Sequence, residues 1–172
     1  GKWHVAGDLT EDIAPWRIGD ADHPTPRQRG FDHFYGIIEG ATHYFSPYHL
    51  LEDDNWVREL PDDYYFTDAI TDKAIVMIED AVADEQPFFL YLAHTAPHWP
   101  LHAHPEDIAR YDGVYDSGWD SVRTARHEQM NSAGLFQTSW DISPRDQGVH
   151  PWSAEKNRDW EARKMATYAA MV

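Results

Sequence analysis

The chain has 172 residues, 42% of them hydrophobic and 14% aromatic, which is enough to enclose a substantial core. Thirty Asp and Glu against fourteen Lys and Arg leave a net charge of −16, which argues against nucleic acid or an anionic membrane surface as a partner. Cysteine is absent, so disulfides, Cys-ligated zinc and a cysteine nucleophile are excluded within these residues.

GKWHVAG at 1–7 reads as the end of a strand. Alternation in an extended strand would turn Lys2 and His4 to one face and Trp3 and Val5 to the other, making a small positive patch. An edge strand with a polar wet face is the plainer account of the same letters. Asp8 to Gly30, with Pro15, Pro24 and Pro26, reads as a surface connection. FDHFYGII at 31–38 is aromatic and β-branched enough for a second short strand, and Gly40 to Pro61 reads as an irregular excursion. A helix follows, with Thr67 as its cap and Ile70, Ala74, Met77, Ile78 and Ala81 at helical spacing. The nearly unbroken apolar run from Phe88 to Ala93 fits a strand covered on both faces, as in a parallel sheet. Helix followed by buried strand is the rhythm of an α/β fold.

Glu106 to Tyr111 reads as a short helical turn and Trp119 to Ala133 as a longer helix closed by Gly134. A polar connection from Ser139 to Pro151 leads to a last helix, capped by Ser153, with Ala162, Met165, Ala166, Ala169 and Val172 as its buried stripe. The chain stops on that stripe without a closing glycine, asparagine or proline, as expected of a piece of one longer catalytic domain. No apolar run has the length of a membrane span, and residues 1–20 lack the pattern of a signal peptide.

The stretch HTAPHWPLHAHPED follows directly on the apolar run, where the crevice beyond the strand ends of an open α/β sheet receives ligands. Pro97, Pro100 and Pro105 stiffen it and hold His98 between constrained neighbours, which suits a group that must move a proton at a fixed place. A metal site built from His94, His98, His102 and His104 is the competing idea. The prolines prevent the continuous helix that would stack these imidazoles, and no HExxH is present. Asp53, Asp54 and Asn55 carry calcium-type oxygens but no EF-hand spacing, so a charged loop tip is the better account. No GxSxG elbow supports a serine triad.

Taken together and in this order, GKWH at 1–4, RGFDHFYG at 29–36, YYFTDAITDKAI at 64–75, PFFLYLAHTAPHWPLHA at 87–103, YDSGWDSVRTAR at 115–126 and WEARKMATYAAMV at 160–172 resemble the type I sulfatases, arylsulfatase branch, of the alkaline phosphatase superfamily. The resemblance implies an alkaline-phosphatase-like α/β sheet flanked by helices. It also implies hydrolysis of sulfate esters by a formylglycine, made from a Cys/Ser-x-Pro-x-Arg motif, beside a calcium ion. Lys2 would then contact the sulfate group, and His4 would bond the formylglycine hydroxyl and act as base. His98 would face the bridging oxygen and help protonate the leaving alcohol. Ser143-Pro144-Arg145 lacks the nucleophile spacing, so nucleophile and metal ligands are expected outside residues 1–172, and these residues alone are expected to be inactive.

The substrate so implied is a sulfate ester, either a small molecule or a sulfated glycan, and family habit suggests the periplasm or the cell exterior. Two other functions fit parts of the pattern. One is a phosphonate monoester or phosphodiester hydrolase of the same superfamily. The other is a non-catalytic carbohydrate-binding module, suggested by eight tryptophans and nine tyrosines.

Overall fold

A computed structural model describes residues 1–5, 17–138 and 140–172. The expected strand end at Ala6 and Gly7, the surface connection as far as Trp16, and Ser139 lie outside the described residues. The class is α/β: the described residues form a three-stranded sheet and four α-helices. They fall into two compact units, Gly1–His102 and Ala103–Val172.

In the first unit β1 (Tyr35–Ile37), β2 (Leu50–Glu52) and β3 (Asn55–Trp56) pair antiparallel in the order β1-β2-β3, with Tyr35 opposite Glu52 and Leu51 opposite Trp56. Residues 1–4 run beside β1 through a parallel bridge of Lys2 to Ile37. Trp3 N donates to Ile37 O at 2.9 Å, and His4 N donates to Ile38 O at 2.8 Å. Glycine at 36 permits this close approach, because a Cβ there would run into the Gly1 backbone. The extended run ends at His4, whose φ of 50° is left-handed, so simple alternation does not by itself set the direction of its ring. Trp3 packs with Phe34 and Trp56 on buried Ile38 and Leu51, and its indole N–H donates to Pro24 O at 2.9 Å.

The expected irregular excursion contains the β2–β3 hairpin. Asp53 takes the turn at φ 54°, and its Oδ1 accepts the Phe34 N–H at 3.0 Å. Asp54 accepts the Thr25 hydroxyl at 3.0 Å and Arg27 Nη1 at 2.9 Å. These carboxylates therefore tie the hairpin turn to residues 25–34. The helix α1 (Phe66–Ala83) packs on β1 and buries Phe66, Ile70 and Ala74. Its cap position is Tyr65, not Thr67, because the backbone is already helical at Phe66.

The largest correction concerns Phe88–Ala93. These residues join no strand of the sheet, and Phe88, Phe89 and Tyr91 are 53%, 81% and 62% exposed. Burial of a strand on both faces requires backbone partners at its edges and side chains over each face. Among the described residues the run is paired through its backbone at its end, where Lys2 N donates to Ala93 O at 2.9 Å. The run instead lines a cleft of about 790 Å³ with Phe31, Lys73 and Met77.

The second unit is helical, with α2 (Pro105–Ala109) and α3 (Gly118–Ser132) both packed on α4 (Arg158–Ala170). Pro105 opens α2, where a missing N–H costs nothing. Gly134, at φ 67°, follows α3 as the sequence predicts. Ser153 does not cap the last helix: it lies in a 3-10 turn, Trp152–Ala154, and α4 begins only at Arg158. Ala162 and Ala166 are buried as expected, whereas Val172 lies beyond the helix end and is 90% exposed. Asp120 ties α3 to that turn, accepting Trp152 N at 2.8 Å and Arg145 Nη1 at 2.8 Å, and these bonds hold its carboxyl below the usual carboxylate range. Among the described residues no helix is long and apolar enough to cross a membrane.

Candidate active site

Lys2 occupies the middle of a three-rail arrangement. Its neighbours Gly1 and Trp3 bond Ile37 on one side, and its own N–H reaches Ala93 on the other. Ala93 is the residue just before the histidine-rich loop, so the GKWH segment lies at the root of that loop. Lys2 also borders the 790 Å³ cleft, whereas His4 and His98 are not among its lining residues.

His4 is exposed, with its ring set against Gly40. A Cβ at position 40 would stand 2.5 Å from Cε1 and 2.7 Å from Nε2 of His4, so any larger residue there would push the imidazole aside. The sequence gives no signal that Gly40 would act as this seat, because the two residues are 36 positions apart in the chain.

His98 sits in a turn between two cis peptide bonds, Ala96–Pro97 and Trp99–Pro100. Its N–H donates to Thr95 O at 2.9 Å, and its carbonyl accepts the Tyr44 hydroxyl at 3.0 Å. The ring Nδ1 lies 2.6 Å from Trp99 O. A carbonyl can only accept, so Nδ1 carries the hydrogen and Nε2 is left as the atom that takes or gives a proton. That assignment fits an acid–base residue with one working nitrogen.

The outer histidines do other work. The rings of His43 and His102 are 4.1 Å apart at their centroids, and His102 Nδ1 accepts Tyr44 N–H at 3.4 Å. Burial, and secondarily the proximity of His43, pushes the His102 imidazole below its ordinary value. Tyr65 donates its hydroxyl to His102 O at 3.0 Å. Sequence reasoning missed Tyr44 and Tyr65, whose hydroxyls reach backbone carbonyls 54 and 37 residues away. Among the described residues no three His, Asp or Glu side chains converge to hold a metal ion. The calcium implied by the resemblance therefore has no fitting donor set in these residues.

Comparison with known proteins shows which family the chain resembles. The family model described as Sulfatase matches residues 1–172. The chain is 31% identical to an arylsulfatase of Klebsiella aerogenes over 183 residues, which covers 99% of this chain and 39% of that protein. It is 32% identical to arylsulfatase J of Mus musculus over 185 residues, covering 95% of this chain and 28% of that protein. Among solved structures, Ps i-CgsB in complex with k-i-k-neocarrahexaose superposes with a TM-score of 0.51 at 32% identity, covering 66% of this chain and 26% of that one. The chain thus spans about two fifths or less of the length of these relatives. With the match running from the first residue to the last, the chain belongs to the sulfatase family.

Proposed function

We propose that the full-length protein carrying this chain hydrolyses sulfate monoesters, with Lys2, His4 and His98 as the contribution of these residues to the site. The observation that carries this reading is the hydrogen bond of Lys2 N to Ala93 O at 2.9 Å, which joins the GKWH segment to the root of the loop bearing His98. A net charge of −16 repels an anionic ester at long range. A fixed ammonium at Lys2 offsets that field within about one Debye length, ~8 to 10 Å, and stabilises charge on the sulfuryl oxygens. Protonated His98 gives the Nε2 hydrogen to the bridging oxygen, so that the alcohol leaves neutral. His4, the second imidazole, is the base of the cycle.

The nucleophile lies outside these residues. The chain has no cysteine, and Ser143-Pro144-Arg145 is not spaced as Cys/Ser-x-Pro-x-Arg. Formylglycine therefore belongs to another segment of the full-length protein, where the resemblance also puts the calcium ligands, and the 172-residue chain alone is expected to give no turnover of an aryl sulfate. Both an aryl sulfate and a sulfated glycan remain within the proposal, supported by the arylsulfatase relatives and by the neocarrahexaose bound to the structural neighbour.

The test is His4→Ala and His98→Ala in the full-length protein. Each should lower kcat/KM on an aryl sulfate about 10²- to 10⁴-fold with an unchanged circular dichroism spectrum. Retained turnover in either variant removes that residue from the proposed chemistry. A matched aryl phosphonate that turns over faster than the aryl sulfate would move the protein to the phosphonate hydrolases.

A further inference from the structure

We infer that Tyr44 is a positioning residue for His98, fixing the height and direction of its imidazole from beneath the loop. The inference rests on the reading of His98 as the proton donor above. His98 is exposed, so packing alone does not hold its ring. What holds it is a set of hydrogen bonds to its backbone and ring, and the bond that comes from outside the loop is the Tyr44 hydroxyl on His98 O at 3.0 Å.

Tyr44 is suited to this by burial. It is 0% exposed, and its ring lies 6.1 Å from that of Tyr65, itself 8% exposed. The Phe45 ring lies beside that of Tyr65, tilted by 39° with centroids 5.1 Å apart. From this platform the Tyr44 hydroxyl reaches His98 O, the Tyr44 N–H reaches His102 Nδ1 at 3.4 Å, and the Tyr65 hydroxyl reaches His102 O at 3.0 Å. The segment His98–His102 is thus tied at both ends to the same pair of tyrosines. With N–H on Thr95 O, C=O under Tyr44 and Nδ1 on Trp99 O, His98 presents Nε2 in one direction.

Removal of one hydroxyl isolates this role, because Tyr44→Phe keeps the ring in its socket and frees only His98 O. A displacement of the order of 1 Å at a reacting group can cost up to about 10²-fold in rate. Tyr44→Phe in the full-length protein should therefore lower kcat on an aryl sulfate about tenfold, with KM changed less than about twofold. Tyr65→Phe, which acts at the far end of the segment, should lower kcat less. The decisive comparison is with His98→Ala. In that background Tyr44→Phe should change kcat by less than about twofold, since nothing remains to be positioned.

Two kinetic results would overturn the inference alone: kcat of Tyr44→Phe within twofold of the parent, or losses that multiply in the double variant while His98→Ala by itself is strongly impaired. Full turnover in His98→Ala would overturn the reading of the site and this inference together. In the NMR titration of the His98 ring, Tyr44→Phe should alter the shifts of both ring nitrogens. An identical titration in parent and variant also overturns it.

Discussion

Phe88–Ala93 and His94–His102 are neighbours in the chain and opposites in how they are held. The first is apolar, yet Phe89 and Tyr91 stand 81% and 62% exposed over an open cleft. The second carries three histidines and two prolines in the expected loop, yet its carbonyls at His98 and His102 are each seized by a buried tyrosine. Composition alone would reverse this order. Hydrophobic burial is non-directional and needs surface on every side. A hydrogen bond needs only one partner at the right place, and a hydroxyl carried on a buried ring meets that need within the first unit.

The comparison is broken most severely at Tyr44. Tyr44→Ala removes a fully buried ring together with its bond to His98, and should cost about 3 to 5 kcal/mol in urea unfolding. A loss near 1 kcal/mol would mean that the ring is not the platform of the loop.

The physical reason for what was legible follows from the same contrast. Periodicity found α1 and the α4 stripe at Ala162 and Ala166, because an amphipathic helix repeats its signal over several turns, whereas α3 was marked by the glycine that follows it, Gly134. The β2–β3 hairpin escaped because Asp53 and Asp54 stand where Asn-Gly or Asp-Gly would have announced a tight turn. The resemblance supplied Lys2, His4 and His98, and the structure adds a backbone bond from Lys2 to the loop root. Gly40 under His4 and Tyr44 under His98 could not be read, because each acts across tens of residues and neither carries a local pattern. His4 at φ 50° shows the limit of the alternation argument, since one left-handed residue ends it.

A second and smaller effect is expected in alkali. Burial, with a lesser contribution from Tyr65, pushes the Tyr44 hydroxyl up to about 12. Burial likewise raises Tyr64 and Tyr35, whose hydroxyls lie 3.1 Å apart. The folded state thus holds these protons more tightly than the unfolded chain, whose tyrosines ionise near ~10. Below that pH both states are protonated and the stabilisation is complete. Above it the unfolded state ionises first, and stability falls until the folded value near 12 is passed. For Tyr44 the loss should reach at most about 2 kcal/mol, read as a falling urea midpoint between roughly pH 9 and 12, with Tyr44→Phe flattening the slope. A midpoint independent of pH in that range would show that these hydroxyls titrate freely.

The smallest effect should fall on the open run. Phe89→Ala deletes a larger apolar side chain than most core substitutions do, but a ring that is 81% exposed surrenders little surface to the fold. Its stability change in the 172-residue chain should stay within about 0.5 kcal/mol, an order of magnitude below Tyr44→Ala. The two rings have similar area, so the ratio of the losses measures enclosure and not ring size. Leu90, half-buried beside it, provides the internal gauge, because Leu90→Ala should lose more than Phe89→Ala despite removing fewer atoms. If Phe89→Ala instead approached the Tyr44 value, the run would be packed in solution, and the contrast between the two segments would have to be drawn from their hydrogen bonds alone.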